Sequence, residues 1–160
     1  MRHSQVKPHQ GLHVKYNIAA LKPADKPRWL ELWSAYQEFY RTELPAEATD
    51  ATWTRMQNGR IGGLGARDEA GKLVGIVHFL FHEDTWSPKS ACYLQDLFVD
   101  PAARGHGCAR QLIESVAAAS KSAGANHPYW LTHETNTTAR KLYDGVASNL
   151  GFIQYVYNGT

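Results

Sequence analysis

A glycine-rich loop is the segment of this chain whose residue types best suit the binding of a ligand. The run Arg104-Gly105-His106-Gly107-Cys108-Ala109 leads directly into a helical pattern. Its small residues let another group approach the backbone closely, and the first turn of a helix offers unpaired N–H groups at its positive end. The loop therefore predicts a site for a phosphate or pyrophosphate, with Arg104 adding a charged contact at the edge.

Three kinds of phosphate-binding loop can be compared with this segment. A Walker A loop ends in Gly-Lys-Ser/Thr, and this one does not. A dinucleotide-binding loop has a third glycine where this chain has Arg110. The third pattern, Arg/Gln-x-x-Gly-x-Gly/Ala, is met by Arg104, Gly107 and Ala109. Taken alone, the segment is also compatible with a simple helix start.

Metal and thiolate chemistry are both disfavoured by position. His78 and His82 share one face of an expected strand but lie about 13 Å apart along it, so one ion cannot bridge them. The start of a helix lowers the pKa of a thiol, which would favour Cys108 as an acyl-enzyme nucleophile. However, the pyrophosphate is expected at that position. We therefore expect no metal and no covalent intermediate.

Hydrophobic periodicity defines the elements that must position the loop. It predicts strands over residues 14–21, 59–65, 73–82, 91–99, 129–132 and 152–157, and helices over 23–41, 46–58, 107–122 and about 137–149. The short strand at 129–132 is expected to be buried. The order of elements predicts an α/β fold in which a mixed sheet carries helices on both faces. Trp29 and Trp33 lie on the apolar stripe of the first helix, so both are expected in the core.

Composition bounds the class of protein. The 160 residues suit one domain, 1–160, in which residues 1–11 are expected to be a flexible tail. The net charge of +2 gives no strong field for nucleic acid. The N-terminus has no signal-peptide pattern, no apolar run is long enough for a membrane span, and there are only two cysteines. We therefore expect a cytoplasmic protein without nucleic-acid or membrane partners.

Ordered motifs in the second half of the chain carry a resemblance to a known family. They are Tyr93-Leu94-Gln95-Asp96-Leu97-Phe98-Val99-Asp100-Pro101, the glycine loop, Thr132-His133-Glu134-Thr135-Asn136-Thr137-Thr138-Ala139-Arg140-Lys141-Leu142-Tyr143, and Leu150-Gly151-Phe152. From about residue 73 to 157 the chain resembles the GNAT superfamily of N-acetyltransferases. It looks closest to the branch with diamine and polyamine acetyltransferases and the small amino-acid and histone acetyltransferases of yeast. The first 60 residues match only in element order.

This resemblance implies a GNAT-type fold and a coenzyme. The fold is α/β, with a mixed, mostly antiparallel sheet, a central splayed pair of parallel strands and helices on both faces. The implied co-substrate is acetyl-coenzyme A (acetyl-CoA), whose pantetheine arm would lie in the splay and whose pyrophosphate would lie in the loop. The residues implied in binding it are Leu97, Phe98, Val99, Arg104, Gly105, His106, Gly107, Cys108, Ala109, Asn136 and Tyr143.

The implied reaction is acetyl transfer to a primary amine by direct attack. The expected acceptor is a small molecule, such as an amino acid, a diamine or a polyamine-like compound. A backbone N–H near Phe98 or Val99 would stabilise the oxyanion, and the Tyr143 phenol would protonate the leaving thiolate. Asn136 can also serve as a helix N-cap, and Tyr143 can also pack on an apolar stripe.

The base that deprotonates the amine is left open by the sequence. The polyamine branch has a glutamate where this chain has Gln95, and an amide cannot act as a base. The remaining candidates are Asp96, Glu134, His133 and water. Aromatic faces suit a cationic amine, so Tyr36, Tyr40 and Trp86 are expected to line the acceptor pocket. Gln95 and His133 are further expected substrate-binding residues.

Two alternative functions stay open. The acceptor can instead be a lysine or an N-terminal amine of a protein or peptide, including histone-like tails. The loss of the glutamate at position 95 also permits a non-catalytic acyl-CoA sensor. The resemblance further implies a homodimer, in which the aromatic-rich segment 152–157 adds a strand across the interface.

Overall fold

A five-stranded sheet organises the first part of the computed structural model, which describes residues 14–159. Its strands are β1 (Asn17–Ala20), β2 (Gly62–Arg67), β3 (Leu73–His82), β4 (Ala91–Val99) and β5 (Pro128–Tyr129). They lie in sequence order, and each neighbouring pair is antiparallel except β4–β5, which is parallel. The predicted mixed, mostly antiparallel sheet is therefore confirmed. The expected tail, residues 1–11, lies outside the described residues.

The helices of the described residues are α1 (Lys26–Phe39), α2 (Ala46–Gln57), α3 (Cys108–Ser122) and α4 (Thr137–Tyr143). Short 3-10 turns precede α1 at Pro23–Asp25 and the glycine loop at Pro101–Ala103. Both turns begin with proline, whose fixed φ suits a first helical position where an N–H would be unpaired anyway. The first three α-helices match the predicted ones closely. None of the helices in this part of the chain is long and apolar enough to cross a membrane.

Helices cover both faces of the sheet, as predicted. On one face, Ile76 and Phe98 share a buried cluster with Trp29 of α1. On the other face, a β-carbon at Gly75 would lie 3.0 Å from the sulfur of Cys108, the first residue of α3. Neighbouring residues of a strand point to opposite faces, so Gly75 and Ile76 face different layers. The missing side chain at Gly75 lets α3 pack close against β3.

The core on the α1 face is aromatic. Trp29 is fully buried, and its ring stacks on that of Trp33 with the ring centroids 5.8 Å apart. The centroid of the Trp53 ring in α2 lies 4.9 Å from that of Trp29. Truncating a buried tryptophan to alanine typically costs about 3–5 kcal/mol, so this cluster anchors α1 to the sheet. The expectation that Trp29 and Trp33 belong to the core is confirmed.

The strand predicted over residues 129–132 is shorter and less buried than expected. In β5 only Pro128 and Tyr129 pair with β4. Pro128 has no N–H to donate to a ladder. Tyr129 is 45% exposed, and its hydroxyl lies 2.9 Å from His82 Nε2 at the surface. The polar end of this side chain explains why the strand is not fully buried.

Residues 131–159 form a second unit. Its helix α4 ends at Tyr143, so the predicted helix to residue 149 is wrong in extent. Gly145 follows shortly, and glycine disfavours a helix by about 1 kcal/mol relative to alanine. The predicted strand over 152–157 is also wrong, because these residues are irregular and their large apolar side chains are 75–86% exposed. A strand needs a neighbour for its backbone groups, and none of the described strands pairs with this segment.

Candidate active site

A β-bulge in β4 determines which of its side chains face α1. Residues 79–82 of β3 pair one to one with residues 91–94 of β4, and the next pair is His78 with Asp96. Gln95 is the extra residue of the bulge, and its side chain is exposed. Because an extra residue shifts the alternation of a strand by one, Asp96 lies on the α1 face beside His78.

Four side chains form a continuous hydrogen-bonded network on this face. The Trp29 indole N–H donates to His78 Nε2 at 3.0 Å, and His78 Nδ1 lies 3.0 Å from Asp96 Oδ2. The Tyr36 hydroxyl donates to Asp96 Oδ1 at 2.9 Å. An indole N–H can only donate, so His78 Nε2 is the acceptor and Nδ1 carries the proton. His78 is thus a neutral donor to the Asp96 carboxylate.

The Asp96 carboxylate contacts Tyr36, and its charge also affects Tyr40 and Tyr93. Burial, followed by the negative charge of Asp96, raises the pKa of Tyr36 well above its usual value. The same two causes, in the same order, raise the pKa of Tyr40 and Tyr93. The ring of Tyr93 also stacks on that of Tyr129 at 5.1 Å. These phenols therefore stay protonated at neutral pH, and the site as a whole is aromatic and anionic. Such surroundings suit an organic cation.

The outer edge of β4 is not paired with a strand over most of its length. Among the described strands, β5 pairs only with residues 92–93, while β4 continues to Val99. The Asp100 N–H donates to the Val74 carbonyl of β3 at 2.8 Å. Since backbone groups alternate in direction along a strand, the N–H and C=O groups of Leu97 and Val99 point away from β3. This edge can therefore pair with an extended ligand through backbone hydrogen bonds.

The glycine loop has the geometry of an anion-binding turn. Gly105 and Gly107 have positive φ values of 80° and 85°, a conformation that favours glycine. Gly107 is the N-cap of α3 and brings no side chain to the first N–H groups of the helix. These groups lie at the positive end of a 15-residue helix, so they fit a pyrophosphate.

Arg104 lies against the end of β4. Its Nε donates to the Val99 carbonyl at 3.0 Å, and its guanidinium carbon lies 5.4 Å from the centroid of the Phe98 ring. A guanidinium over an aromatic face is a favourable contact. Arg104 therefore tethers the glycine loop to β4, and its contact with a phosphate stays a prediction.

Cys108 does not have the properties of a nucleophile. Its side chain is 2% exposed, and burial raises the pKa of the thiol to about 12. The expectation that the helix start lowers this pKa is wrong, because the sulfur points into the core beside Gly75. The part of Cys108 that remains a candidate for the pyrophosphate site is its backbone.

The predicted substrate-binding residues that precede residue 131 differ in exposure. Tyr36 and Tyr40 come together, with ring centroids 5.0 Å apart. Trp86 lies in the loop between β3 and β4 and is 93% exposed, and Gln95 is exposed at the bulge. Their roles in acceptor binding stay predictions. Within residues 14–159, no three His, Cys, Asp or Glu side chains cluster as they would around a metal ion.

The second unit contains the other predicted site residues. Asn136 Oδ1 accepts a backbone N–H of the first turn of α4 at 3.4 Å, so its N-cap role is confirmed. His133 Nδ1 lies 2.7 Å from a neighbouring threonine hydroxyl. Glu134 is exposed and Tyr143 is half-buried. The chemical roles of these residues stay predictions.

From the sequence, Trp29 is expected in the core and His78 is considered only as a metal ligand, so neither is expected at the site. Both occur in patterns typical of a core, namely a helical stripe and a buried strand. The available signal is a histidine inside an apolar run, because a buried histidine requires hydrogen-bond partners. Its partner Asp96 is set by the bulge at Gln95, which the residue pattern does not reveal.

Comparison with known proteins identifies the family. Residues 27–147 match the model of the Acetyltransferase (GNAT) family. The chain is 31% identical to the D-amino-acid N-acetyltransferase HPA3 of Saccharomyces cerevisiae over 159 residues, which cover 98% of this chain and 99% of the relative. It is 30% identical to the uncharacterised N-acetyltransferase YhfO of Bacillus subtilis over 147 residues, which cover 89% of this chain and 97% of the relative.

Solved structures share the fold. A ribosomal-protein-alanine N-acetyltransferase from Brucella melitensis biovar Abortus 2308 has a TM-score of 0.76 at 23% identity, with 91% of this chain and 99% of that chain covered. An aminoglycoside acetyltransferase from an uncultured soil metagenomic sample has a TM-score of 0.76 at 17% identity, with 91% and 97% covered. At these identities the likeness concerns the fold alone. Together with the family match and the two relatives, the bulged strand and the glycine loop lead to one conclusion: the chain belongs to the GNAT family of acetyltransferases.

Proposed function

We propose that this chain is an N-acetyltransferase that moves the acetyl group of acetyl-CoA to the primary amine of a small molecule. The observation that carries the proposal is the Asp96 carboxylate of β4, which is 15% exposed, hydrogen-bonded to Tyr36 and His78, and close enough to Tyr40 and Tyr93 for its charge to affect them. A largely buried anion with aromatic neighbours attracts an amine in its cationic form. The yeast relative is named a D-amino-acid N-acetyltransferase, which supports an amino acid as acceptor alongside diamines and polyamine-like compounds.

We assign the coenzyme to the glycine loop and the edge of β4. The N–H groups at the start of α3 bind the pyrophosphate. Leu97 offers its outward N–H and C=O groups to the pantetheine arm, whereas the Val99 carbonyl already accepts a hydrogen bond from Arg104 Nε. Asn136 is assigned to the same arm on the family resemblance. Acetyl-CoA supplies the thioester whose carbonyl carbon the amine attacks.

Asp96 is the base in this proposal. An amine with a pKa of about 10.4 arrives as an ammonium ion. Asp96 accepts one of its protons, so that the neutral nitrogen can form the new C–N bond. Glu134, His133 and water remain the alternatives for this step.

Two further groups act on the thioester. The Val99 N–H donates to the carbonyl oxygen as negative charge develops there. Tyr143 gives its phenolic proton to the sulfur as the C–S bond breaks. The second nitrogen proton passes to water, water reprotonates Tyr143, and Asp96 returns its proton to water. One net proton is released per acetyl group.

Calorimetry on matched variants tests the coenzyme site. Gly105 and Gly71 have φ values of 80° and 79°, and a β-carbon at either position meets no atom within 4 Å. Gly105→Glu and Gly71→Glu therefore impose similar backbone strain, but only the first places a negative charge in the loop. We expect acetyl-CoA to bind wild type and Gly71→Glu, and to bind Gly105→Glu about tenfold more weakly or worse. No binding by the wild type, or equal affinities of all three proteins, would contradict the assignment.

A panel of amines tests the transfer itself. Amino acids of both configurations, diamines and polyamines are incubated with acetyl-CoA, and the release of free CoA thiol is measured. We expect release with at least one of these amines. Release with none of them would overturn the proposed function. Acetylation of a basic peptide in place of every small amine would support a protein substrate instead.

We also propose that two copies of the chain associate through the segment 152–157. Its large apolar side chains are 75–86% exposed, and an exposed apolar run of this kind favours a protein contact. A second copy would supply the strand neighbour that this segment needs. Light scattering should give a dimer for the full chain and a monomer for a chain that ends at Gly151. A monomeric full chain would contradict the association.

A further inference from the structure

We propose that Trp29 and His78 are positioning residues, which hold the Asp96 carboxylate in the orientation that receives the ammonium group of the acceptor. The inference rests on the proposed N-acetyltransferase function and deepens it. Trp29 and His78 act through Asp96, and the class of acceptor that this arrangement favours is an amine in its cationic form.

The Trp29 indole, which lies in the core, determines which atom donates in each hydrogen bond between Trp29, His78 and Asp96. Trp29 is fully buried, and its N–H donates to Nε2 of His78, which is 1% exposed. Because Nε2 accepts, the ring proton lies on Nδ1 and is donated to Asp96 Oδ2. In the opposite tautomer, two N–H donors would face each other and the Nδ1 lone pair would face the carboxylate. One indole N–H therefore sets the orientation of a carboxylate two side chains away.

Asp96 is held by neutral donors at both of its oxygens. His78 binds Oδ2, and the Tyr36 hydroxyl binds Oδ1. Among the described residues, no lysine or arginine forms an ion pair with Asp96. A carboxylate has about four lone-pair positions, so further positions remain for a ligand. The Asp96 carboxylate is therefore an oriented negative charge without a cationic partner among the described residues. The ammonium group of the acceptor forms an ion pair with it.

Disruption of a positioning network and disruption of a purely structural network have different measurable effects. A structural network contributes to folding alone, so its loss lowers stability without a selective effect on one substrate. A positioning network sets the rate with the amine, while acetyl-CoA binding is retained because α3, whose first turn is assigned to the pyrophosphate, packs on the opposite face of β3 at Gly75. The two roles are therefore separated by kinetics together with coenzyme affinity.

A pair of tryptophan variants gives the matched comparison. Trp29 and Trp33 lie on the same helix and are both buried, but the Trp33 N–H donates to Thr49 Oγ1 at 3.2 Å, outside the network. Trp29→Phe and Trp33→Phe each remove one buried indole N–H. We expect Trp29→Phe to lower kcat/KM for the amine about tenfold, the equivalent of one buried hydrogen bond. The acetyl-CoA Kd should stay within about twofold in both variants, and Trp33→Phe should keep its kcat/KM. Equal losses of kcat/KM in the two variants would overturn the proposal.

The tautomer of His78 is a second, independent readout. Nitrogen-15 NMR of the free protein distinguishes a protonated Nδ1 from a protonated Nε2. We expect the Nδ1–H form in wild type and in Trp33→Phe, and a mixture in Trp29→Phe, where Nε2 has lost its donor. An active wild type with the Nε2–H form would overturn the positioning role alone. A wild type with the Nδ1–H form that acetylates no amine would overturn the proposed function, and the positioning role with it.

Substitution of His78 keeps the proposal testable if Trp29→Phe does not fold. His78→Asn retains a side-chain N–H that can reach Asp96, whereas His78→Leu has none. We expect His78→Leu to lose at least tenfold in kcat/KM for the amine, and His78→Asn to recover part of that loss. Equal activity of the two variants would contradict a role through Asp96.

Discussion

His78 and Asp96 face each other across β3 and β4 because Gln95 is an extra residue in β4. Without the bulge, the pairing of residues 79–82 with residues 91–94 would continue in the same register. His78 would then lie opposite Gln95, and Asp96 would lie on the α3 face. The bulge therefore brings the carboxylate of Asp96 to the aromatic face. The site therefore contains a carboxylate although position 95 carries an amide.

Asp96→Asn removes the charge that is proposed to attract and deprotonate the amine. We expect kcat/KM for the amine to fall about 100-fold or more, with the acetyl-CoA Kd unchanged. Steady-state kinetics and calorimetry measure the two quantities. Asp68→Asn is the control, since it removes an equal charge at the turn between β2 and β3. The assignment is wrong if both variants keep wild-type kinetics.

Tyr143→Phe removes the phenolic proton that is proposed to pass to the sulfur. We expect kcat to fall about tenfold or more, while the affinity for acetyl-CoA changes little. Tyr155→Phe removes an exposed phenol of the same unit and should leave kcat unchanged. Unchanged turnover in Tyr143→Phe would remove this residue as the acid, and another group would have to protonate the thiolate.

Cys108 should be inert in the folded protein. Burial raises the pKa of its thiol to about 12, so almost no thiolate is present at pH 8, and the sulfur is also inaccessible. We expect Cys108→Ala to retain its turnover and to lose about 1 kcal/mol of unfolding free energy through the cavity that it creates. Labelling of wild type with a thiol reagent should proceed only at the rate of unfolding. Loss of turnover in Cys108→Ala would point to an acyl-enzyme instead.

Asp100 should make stability depend on pH in the acid range. A hydrogen bond from the Ala102 N–H, and then the contact with Arg28, hold the pKa of Asp100 below its usual value. A carboxyl with a lowered pKa stabilises the fold fully above its unfolded pKa of about 3.9, and this contribution is lost as the pH falls through the folded pKa. Asp100→Asn keeps a side-chain acceptor but loses the charge that pairs with Arg28. It should therefore cost about 1 kcal/mol at pH 7 and less at pH 3, as measured by urea unfolding.

Asp50→Asn is the matched control for this prediction. Asp50 pairs with Lys26 at the surface, and its side chain is 68% exposed, so its loss should cost less than about 1 kcal/mol. An equal cost of Asp100→Asn at both pH values would show that the charge of Asp100 does not contribute to stability.

The parts of the fold that depend on local pattern could be predicted from the sequence. The bounds of β3 and β4 and the start of the helix after Gly107 follow from residue periodicity and loop composition. Contacts that depend on pairing between elements could not be predicted. The partner of His78 changes with a single extra residue, and no local preference for a bulge marks Gln95.

Two errors have a similar origin. Cys108 lies at a helix start, where the backbone lowers a thiol pKa, but burial against β3 has the larger effect and the opposite sign. Segment 152–157 has the composition of a strand, yet it is irregular, because strand formation requires a partner that composition does not provide. In both cases the deciding interaction involves residues that are distant in the chain.

Because the Gln95 side chain is exposed, this position can change in evolution with little effect on folding. We expect exchange between amide and carboxylate at this position to cost the fold little, although it would change the charge beside Asp96. Position 95 can therefore vary in charge in evolution without compensating stabilising mutations elsewhere in the chain. Gly75, where α3 packs against β3, is far less free to vary, because an added methyl group would lie 3.0 Å from the Cys108 sulfur and would force α3 to shift.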